Sequence, residues 1–307
     1  MCRVSAMPEK LPLVLSPSLG CPQIISLTKN EPIVVIVASR DEQFGNWSLI
    51  PSFSNQHNSL NHLPLIQRDI LEIPKHCDEV ILSRELLSEV LGNDLRIFKV
   101  TLSLSDSDPS NVLRKVNNDF RPTLYDLILE APTTQSRPHA VCLSQSKDKD
   151  LRFIHLTDLH LSRRNDLIEK EISTACGPVN GFNNFNDRMR VFIEEANKIA
   201  DKGELDLVLI GGDLVDFVNQ GVSDEAIEDD NNWQVFIEIV IGGGCEHKKG
   251  KGNYGLLVPI FTSTGNHDWR LHPYDLADVT GAFGIDRSQA NNFDSEYYDT
   301  VEMLEAK

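Results

Sequence analysis

A chain of 307 residues has room for about two domains, and 40% hydrophobic with 24% charged residues is an ordinary globular composition, which excludes a disordered tail, a collagen and a small disulfide scaffold. Its longest wholly apolar runs, such as residues 33–38, fall far short of the roughly 18 residues of a membrane-spanning helix, so no membrane span is expected. The formal charge of −17 is uneven, −3 over residues 1–150 and −14 over residues 151–307; an acidic second half repels phosphate backbones, so no nucleic-acid partner is expected, and it suits a site that collects cations.

In chain order, the N-terminus carries Arg3 and Lys10 but only a short apolar stretch, residues 11–15, interrupted by Pro12. No secretory signal is read, and a cytoplasmic location is expected. The six cysteines form no CxxC pair, which removes a zinc ribbon or a thioredoxin motif and leaves buried free thiols. The sequon at Asn46-Trp47-Ser48 is then a chance match. Residues 32–38, 79–82, 96–102, 124–129 and 139–143 read as short extended segments, an all-β pattern. Between them lie a polar loop over 52–62 and one short helix over 84–91, capped by Ser83 and stopped by Gly92. A β-sandwich over residues 1–145 is expected, with the polar run 144–150 as a linker.

Beyond the linker strand and helix alternate, which predicts an α/β domain over 151–307. The strand 151–157 precedes a long loop and a helix from about 187 to 202, whose Met189, Phe192, Ile193, Ala196, Ile199 and Ala200 share one face. A strand over 205–210, a helix over 232–241 with Trp233, Phe236, Ile237, Val240 and Ile241 inward, and a strand over 256–262 follow. The intervening loop 242–255 holds Cys245, His247 and three lysines but fails the GxxxxGK[ST] pattern of a phosphate loop, and reads as a surface loop.

Each of the three strands ends in a cluster of ligand-type residues: Asp158-Leu159-His160, Gly212-Asp213-Leu214-Val215-Asp216, and Gly265-Asn266-His267-Asp268. Strand ends are where α/β folds bind ligands. Asp158 and His160 are two apart, so in an extended chain they project from one face and can grip one ion. Gly212 and Gly265 let the backbone turn sharply enough to bring Asp213 and Asn266 to the same point. Carboxylate, imidazole and amide donors without thiolate favour Mn, Fe or Zn. A cation held there can act as a Lewis acid and lower the pKa of a bound water.

The three blocks resemble the DxH, GDxxD and GNH[DE] pattern of the calcineurin-like metallophosphoesterase superfamily, over residues 151 to about 275. The resemblance implies an α/β/β/α domain and metal-dependent hydrolysis of a phosphate-ester small molecule: a monoester, a diester or a cyclic nucleotide. It implies two divalent metal ions, with Asp158 and His160 on the first, Asp213 bridging both and Asn266 on the second. His267 would be the acid or charge stabiliser at the leaving group, oriented by Asp268. The N-terminal part is then similar in architecture to the immunoglobulin-like domain that precedes purple acid phosphatases, although Asp216 stands where those enzymes have a tyrosine ligand.

The family's later blocks, a lone His and GHxH, have no counterpart, since no histidine follows His272. With 39 residues after Asp268, the expectation is a chain that stops within the domain, leaving the second metal only Asp213 and Asn266. Asp216 is either support for the site or a solvated carboxylate, His155 a core histidine, and His272 a loop residue. The other reading is a non-catalytic interaction protein on the same fold, like the metallophosphoesterase-like retromer subunit; the retained Asp158, His160, Asp213, Asn266 and His267 argue against it. The partner of the β-sandwich is left open.

Overall fold

The computed structural model describes residues 11–52, 62–73, 94–131, 134–145, 150–167, 183–218, 231–242 and 255–269. The strand expected at 79–82, the helix at 84–91, His247 and His272 lie outside them.

Among the described residues ten strands precede residue 145. These are β1 (Leu13–Ser16), β2 (Gln23–Ser26), β3 (Ile33–Ser39), β4 (Asn46–Pro51), β5 (Leu63–Glu72), β6 (Arg96–Leu104), β7 (Arg114–Val116), β8 (Asp119–Arg121), β9 (Thr123–Glu130) and β10 (Gln135–Ser144). Eight of them form one sheet in the order β1-β3-β6-β5-β4-β9-β10-β2, and β7 with β8 makes a separate hairpin. The hairpin turns through Asn117 and Asn118, both with positive φ, as a two-residue turn that matches strand twist requires.

The sheet curls because β5 serves two neighbours. Leu63 and Pro64 pair with β4, whereas Leu65 to Glu72 pair with β6 across a register shift. Alternation then sends Ile33, Val35 and Val37 of β3 and Phe98, Val100 and Leu102 of β6 into the same core as Leu49, Tyr125, Leu127, Leu129, Val141 and Leu143 from the other half. The all-β expectation holds, and the two faces of the expected sandwich are the two halves of one curled sheet. All its pairings are antiparallel except β10 with β2.

A second sheet takes the order β11 (Phe153–Leu156), β12 (Leu207–Gly211), β13 (Ile260–Ser263). The helix α1 (Phe185–Asp201) lies between β11 and β12 in sequence and α2 (Asn232–Ile241) between β12 and β13, which is the expected α/β alternation. Met189, Ile193, Ala196 and Ala200 are buried on α1 at helical spacing. On α2 the buried apolar residues are Phe236, Ile239 and Val240. Among the described residues no helix is long and apolar enough to cross a membrane. The chain divides into two compact units, one of residues 1–154, 194–209 and 254–261 and the other of 155–193, 210–253 and 262–307; every residue of the site below belongs to the second.

Candidate metal centre

The site is made where the chain leaves β11, β12 and β13. Asp158, His160 and Asp213 all take left-handed backbone, with φ of 56°, 47° and 50°. That region costs a non-glycine residue roughly 1–3 kcal/mol and persists only where neighbouring structure dictates it. Here the loops dictate it by pairing with each other. The amide of Asp158 donates to Gly212 O (3.3 Å), that of His160 to Asp213 O (2.9 Å), that of Leu161 to Leu214 O (3.1 Å) and that of Asp216 back to Leu161 O (3.2 Å).

Two glycines make the close approach possible. A Cβ on Gly265 would stand 2.3 Å from Asp213 Oδ1 and 2.5 Å from its amide nitrogen, so any side chain there displaces Asp213. Gly212, at φ 86°, passes so near Gly265 that a Cβ would lie 3.1 Å from its Cα.

The result is a shared point for the donors. One ligand atom each from Asp158, His160 and Asp213 falls within 4.8 Å of the others, and a second group, His160, Asp216 and His267, meets the same limit. His160 belongs to both. A spread of that size is close to twice a metal–ligand bond of about 2.0–2.2 Å, and the carboxylate and imidazole donors suit a borderline divalent ion. The donors present therefore fit the cations implied by the sequence pattern.

Asp213 is held by the amide of His267, which donates to its Oδ1 (3.0 Å). Nδ1 of His267 lies 2.9 Å from Asp216 O, and since a carbonyl only accepts, Nδ1 carries the hydrogen and Nε2 is the atom open to proton transfer or ligation. The rings of His160 and His267 meet edge to face at 4.5 Å, and Oδ1 of Asp216 lies 3.5 Å from the one Nδ1 and 3.6 Å from the other. Asp268 is buried at 2% exposure, and its carboxylate accepts from the amides of Val215 (2.9 Å) and Gly265 (2.8 Å). It braces the backbone on both sides of the site. Burial pushes its carboxyl above the usual carboxylate range, only partly offset by those amides.

Buried asparagines tie the loops behind the donors. Asn232, the first residue of α2, accepts from the amide of Arg163 (3.0 Å) and donates to Phe217 O (2.7 Å), linking the β11 and β12 loops. Asn186 of α1 accepts from the amide of Ser162 and donates to Ser162 O, at 3.1 and 2.8 Å. Beside it, burial would raise the carboxyl of Asp166, but Arg190, Asn184 and Asn186 outweigh that and hold it low.

Of the residues expected from sequence, Asp158, His160 and Asp213 are brought together, and Asn266 sits exposed on the turn between Gly265 and His267. Asp216, left open between support and solvent, faces both imidazoles. His155 is exposed on β11, so it is not a core histidine; the strand is open on both faces at that position. Spacing gave no signal for Arg164, Asn186 or Asn232, because each acts on a residue distant in sequence.

Residues 151–303 match the family model of the calcineurin-like phosphoesterases. No curated protein matches the chain. This region of the chain is a calcineurin-like metallophosphoesterase domain, with two groups of candidate metal ligands.

Proposed function

We propose that this metallophosphoesterase domain hydrolyses small phosphate esters, with one divalent cation held by Asp158, His160 and Asp213 and a second by Asp213 and Asn266. The observation that carries the reading is the meeting of Asp158, His160 and Asp213 within 4.8 Å on strained left-handed backbone, inside a region of the matching family. Bound there, a pair of divalent cations supplies Lewis acidity toward phosphoryl oxygens and acidifies water.

The chain's own groups then do the rest. Asp213 is fixed in place by the His267 amide and by its packing on Gly265. With Nδ1 committed to Asp216 O, His267 has Nε2 with which to give a proton to the leaving alkoxide. Oδ1 of Asp216 lies 3.6 Å from Nδ1 of that ring, and Asp268 orients His267 through the backbone it braces.

The second donor group, His160 with Asp216 and His267, favours a competing role for His267 as a ligand. Elemental analysis of the Mn²⁺-loaded chain and turnover of p-nitrophenyl and bis-p-nitrophenyl phosphate separate the roles. Asp213→Asn should lose more metal than Asp216→Asn, because a bridging carboxylate serves both ions; equal metal content would overturn the bridge. His267→Ala should lower kcat by about 10² to 10⁴ with metal retained, the range of a lost general acid. Metal loss in that variant would make His267 a ligand. A chain that binds metal yet turns over neither ester would favour the interaction-protein reading.

A further inference from the structure

We propose that Arg164 is the substrate-anchoring residue of this site, a preset guanidinium that takes the anionic group of the ester or of the released phosphate. The inference rests on the phosphoesterase reading above. Arg164 stands four residues after His160, in the helical turn 163–167. Its Nη2 donates to Oδ2 of Asp216, whose other oxygen faces the imidazoles of His160 and His267. Its guanidinium carbon lies 4.9 Å over the ring of Phe217. An ion pair along one edge and an aromatic face below fix the plane of the fork, which is the geometry in which arginine recognises phosphate and carboxylate.

Burial divides the pair unevenly. The Asp216 side chain is 13% exposed and that of Arg164 is 50% exposed, so the carboxylate is inside and the guanidinium reaches solvent beside the donors. An arginine has five N–H donors, and the pair with Asp216 uses one nitrogen. An ion pair this open adds little to stability, so stability is a weak account of it.

The stacking partner is not left to chance. Asn232, fully buried, binds the amide of Arg163 with one end of its side chain and the carbonyl of Phe217 with the other. One side chain therefore sets the separation between the residue before Arg164 and the ring on which its guanidinium lies. Charge gives the arrangement a use. Residues 151–307 carry −14, and an anionic ester has to approach against that field. Arg164 is a permanent cation paired with Asp216, a member of the second donor group.

The test is titration of inorganic phosphate into the full Mn²⁺-loaded chain, with steady-state kinetics and metal analysis on the same samples. Arg164→Met should weaken phosphate binding and raise KM by about tenfold or more, with kcat changed less than about threefold and metal content unchanged. Arg164→Lys should recover part of the affinity, since it restores the charge without the fork. Phosphate affinity unchanged in Arg164→Met would overturn the proposal, as would a wild-type chain that binds no phosphate. So would metal loss matching that of Asp216→Asn, which would make Arg164 a residue that acts only by holding Asp216. Hydrolysis by the wild type with an indifferent Arg164→Met sinks the anchor and spares the phosphoesterase reading; phosphate binding that depends on Arg164 in a chain without hydrolysis does the reverse.

Discussion

The curled sheet and the loops beyond β11, β12 and β13 handle their backbone in opposite ways. In the sheet, ladders such as the seven-residue pairing of β3 with β6 consume the polar groups, and Phe98, Val100, Leu127 and Leu129 are buried to 1% or less. In the N-terminal part, left-handed backbone at non-glycine residues falls on Asn30, Asn117 and Asn118, the residue type that tolerates it in turns, and on His139 at the bulge in β10. In the site loops it falls on Asp158, His160 and Asp213, residues placed for their donor atoms. Both regions need long-range contacts, but the sheet uses them for burial and the loops use them to hold strained turns. Changes to the sheet should therefore be read as stability, and changes to the loops as metal affinity.

The largest effect expected on that scale is in the sheet. Leu127→Ala removes a side chain that is 1% exposed from the joint core of both halves, and should cost about 2–5 kcal/mol in denaturant unfolding. Metal content per folded chain should not change. A loss of metal at constant fold would break the division between the two regions.

Next comes a pH effect, also in the sheet. His139 lies at the bulge in β10 with φ 52°, and burial pushes its imidazole down to about 3. The unfolded chain takes up that proton near pH 6.5, the folded one only near 3, so stability falls as pH drops through this interval. Between pH 6.5 and 5 the slope amounts to about 2 kcal/mol. Asp126, whose Oδ1 accepts from the His139 amide and from Ser52, has its carboxyl raised by burial and works in the opposite sense as pH falls. His139→Asn keeps a residue at home in left-handed backbone and should flatten the curve between pH 7 and 5; an unchanged slope would place the proton uptake elsewhere.

The loops should respond in the other currency. Gly265→Ala puts a methyl 2.3 Å from Asp213 Oδ1, so the carboxylate has to move, and metal affinity should fall about 10- to 100-fold, as for other groups that orient ligands. The same methyl would lie 2.5 Å from the Asp213 amide nitrogen, so the backbone has to move as well and the unfolding midpoint of the metal-free chain should also fall. A large shift without metal loss would mean that the turn matters to the fold more than to the site.

How much of this was legible in sequence follows from the same contrast. β3, β6, β9 and β10 were readable because their apolar residues alternate in uninterrupted runs. β5 was not: its middle, Gln67 to Asp69, is polar and exposed, and Pro64 interrupts its start, so only its neighbours β4 and β6 make it a strand. The single curled sheet was equally hidden, since it depends on β5 changing partners. The donors were legible because each sits just beyond a strand, with Asp213 and Asn266 also next to a glycine. The position of Asp216 was not, because whether a carboxylate three residues after Asp213 faces His160 and His267 depends on loop pairing, as between Leu161 and Val215. His155 misled because alternation assumes a strand with one buried face, and β11 has none fully buried.

The smallest expected effect concerns one hydroxyl. Tyr125 is completely buried, and its OH donates to Val112 O at 2.7 Å. Tyr125→Phe keeps the ring, so no cavity opens, but it leaves that carbonyl without the donor and should cost about 0.5–1.5 kcal/mol at neutral pH. Burial also pushes the phenol above its ordinary value of 10.0. The unfolded chain releases that proton near pH 10 while the folded chain retains it, so the group withdraws stability as pH rises past 10. Phenylalanine has no proton to lose. The difference between the variant and the wild type should thus shrink as pH rises above 10, and could reverse. Cys142, whose thiol burial raises to about 12, adds the same kind of alkaline loss to both chains and cancels in the comparison. A difference that stays constant from pH 7 to 11 would show that the hydroxyl reaches water before unfolding, and that this part of the sheet opens locally.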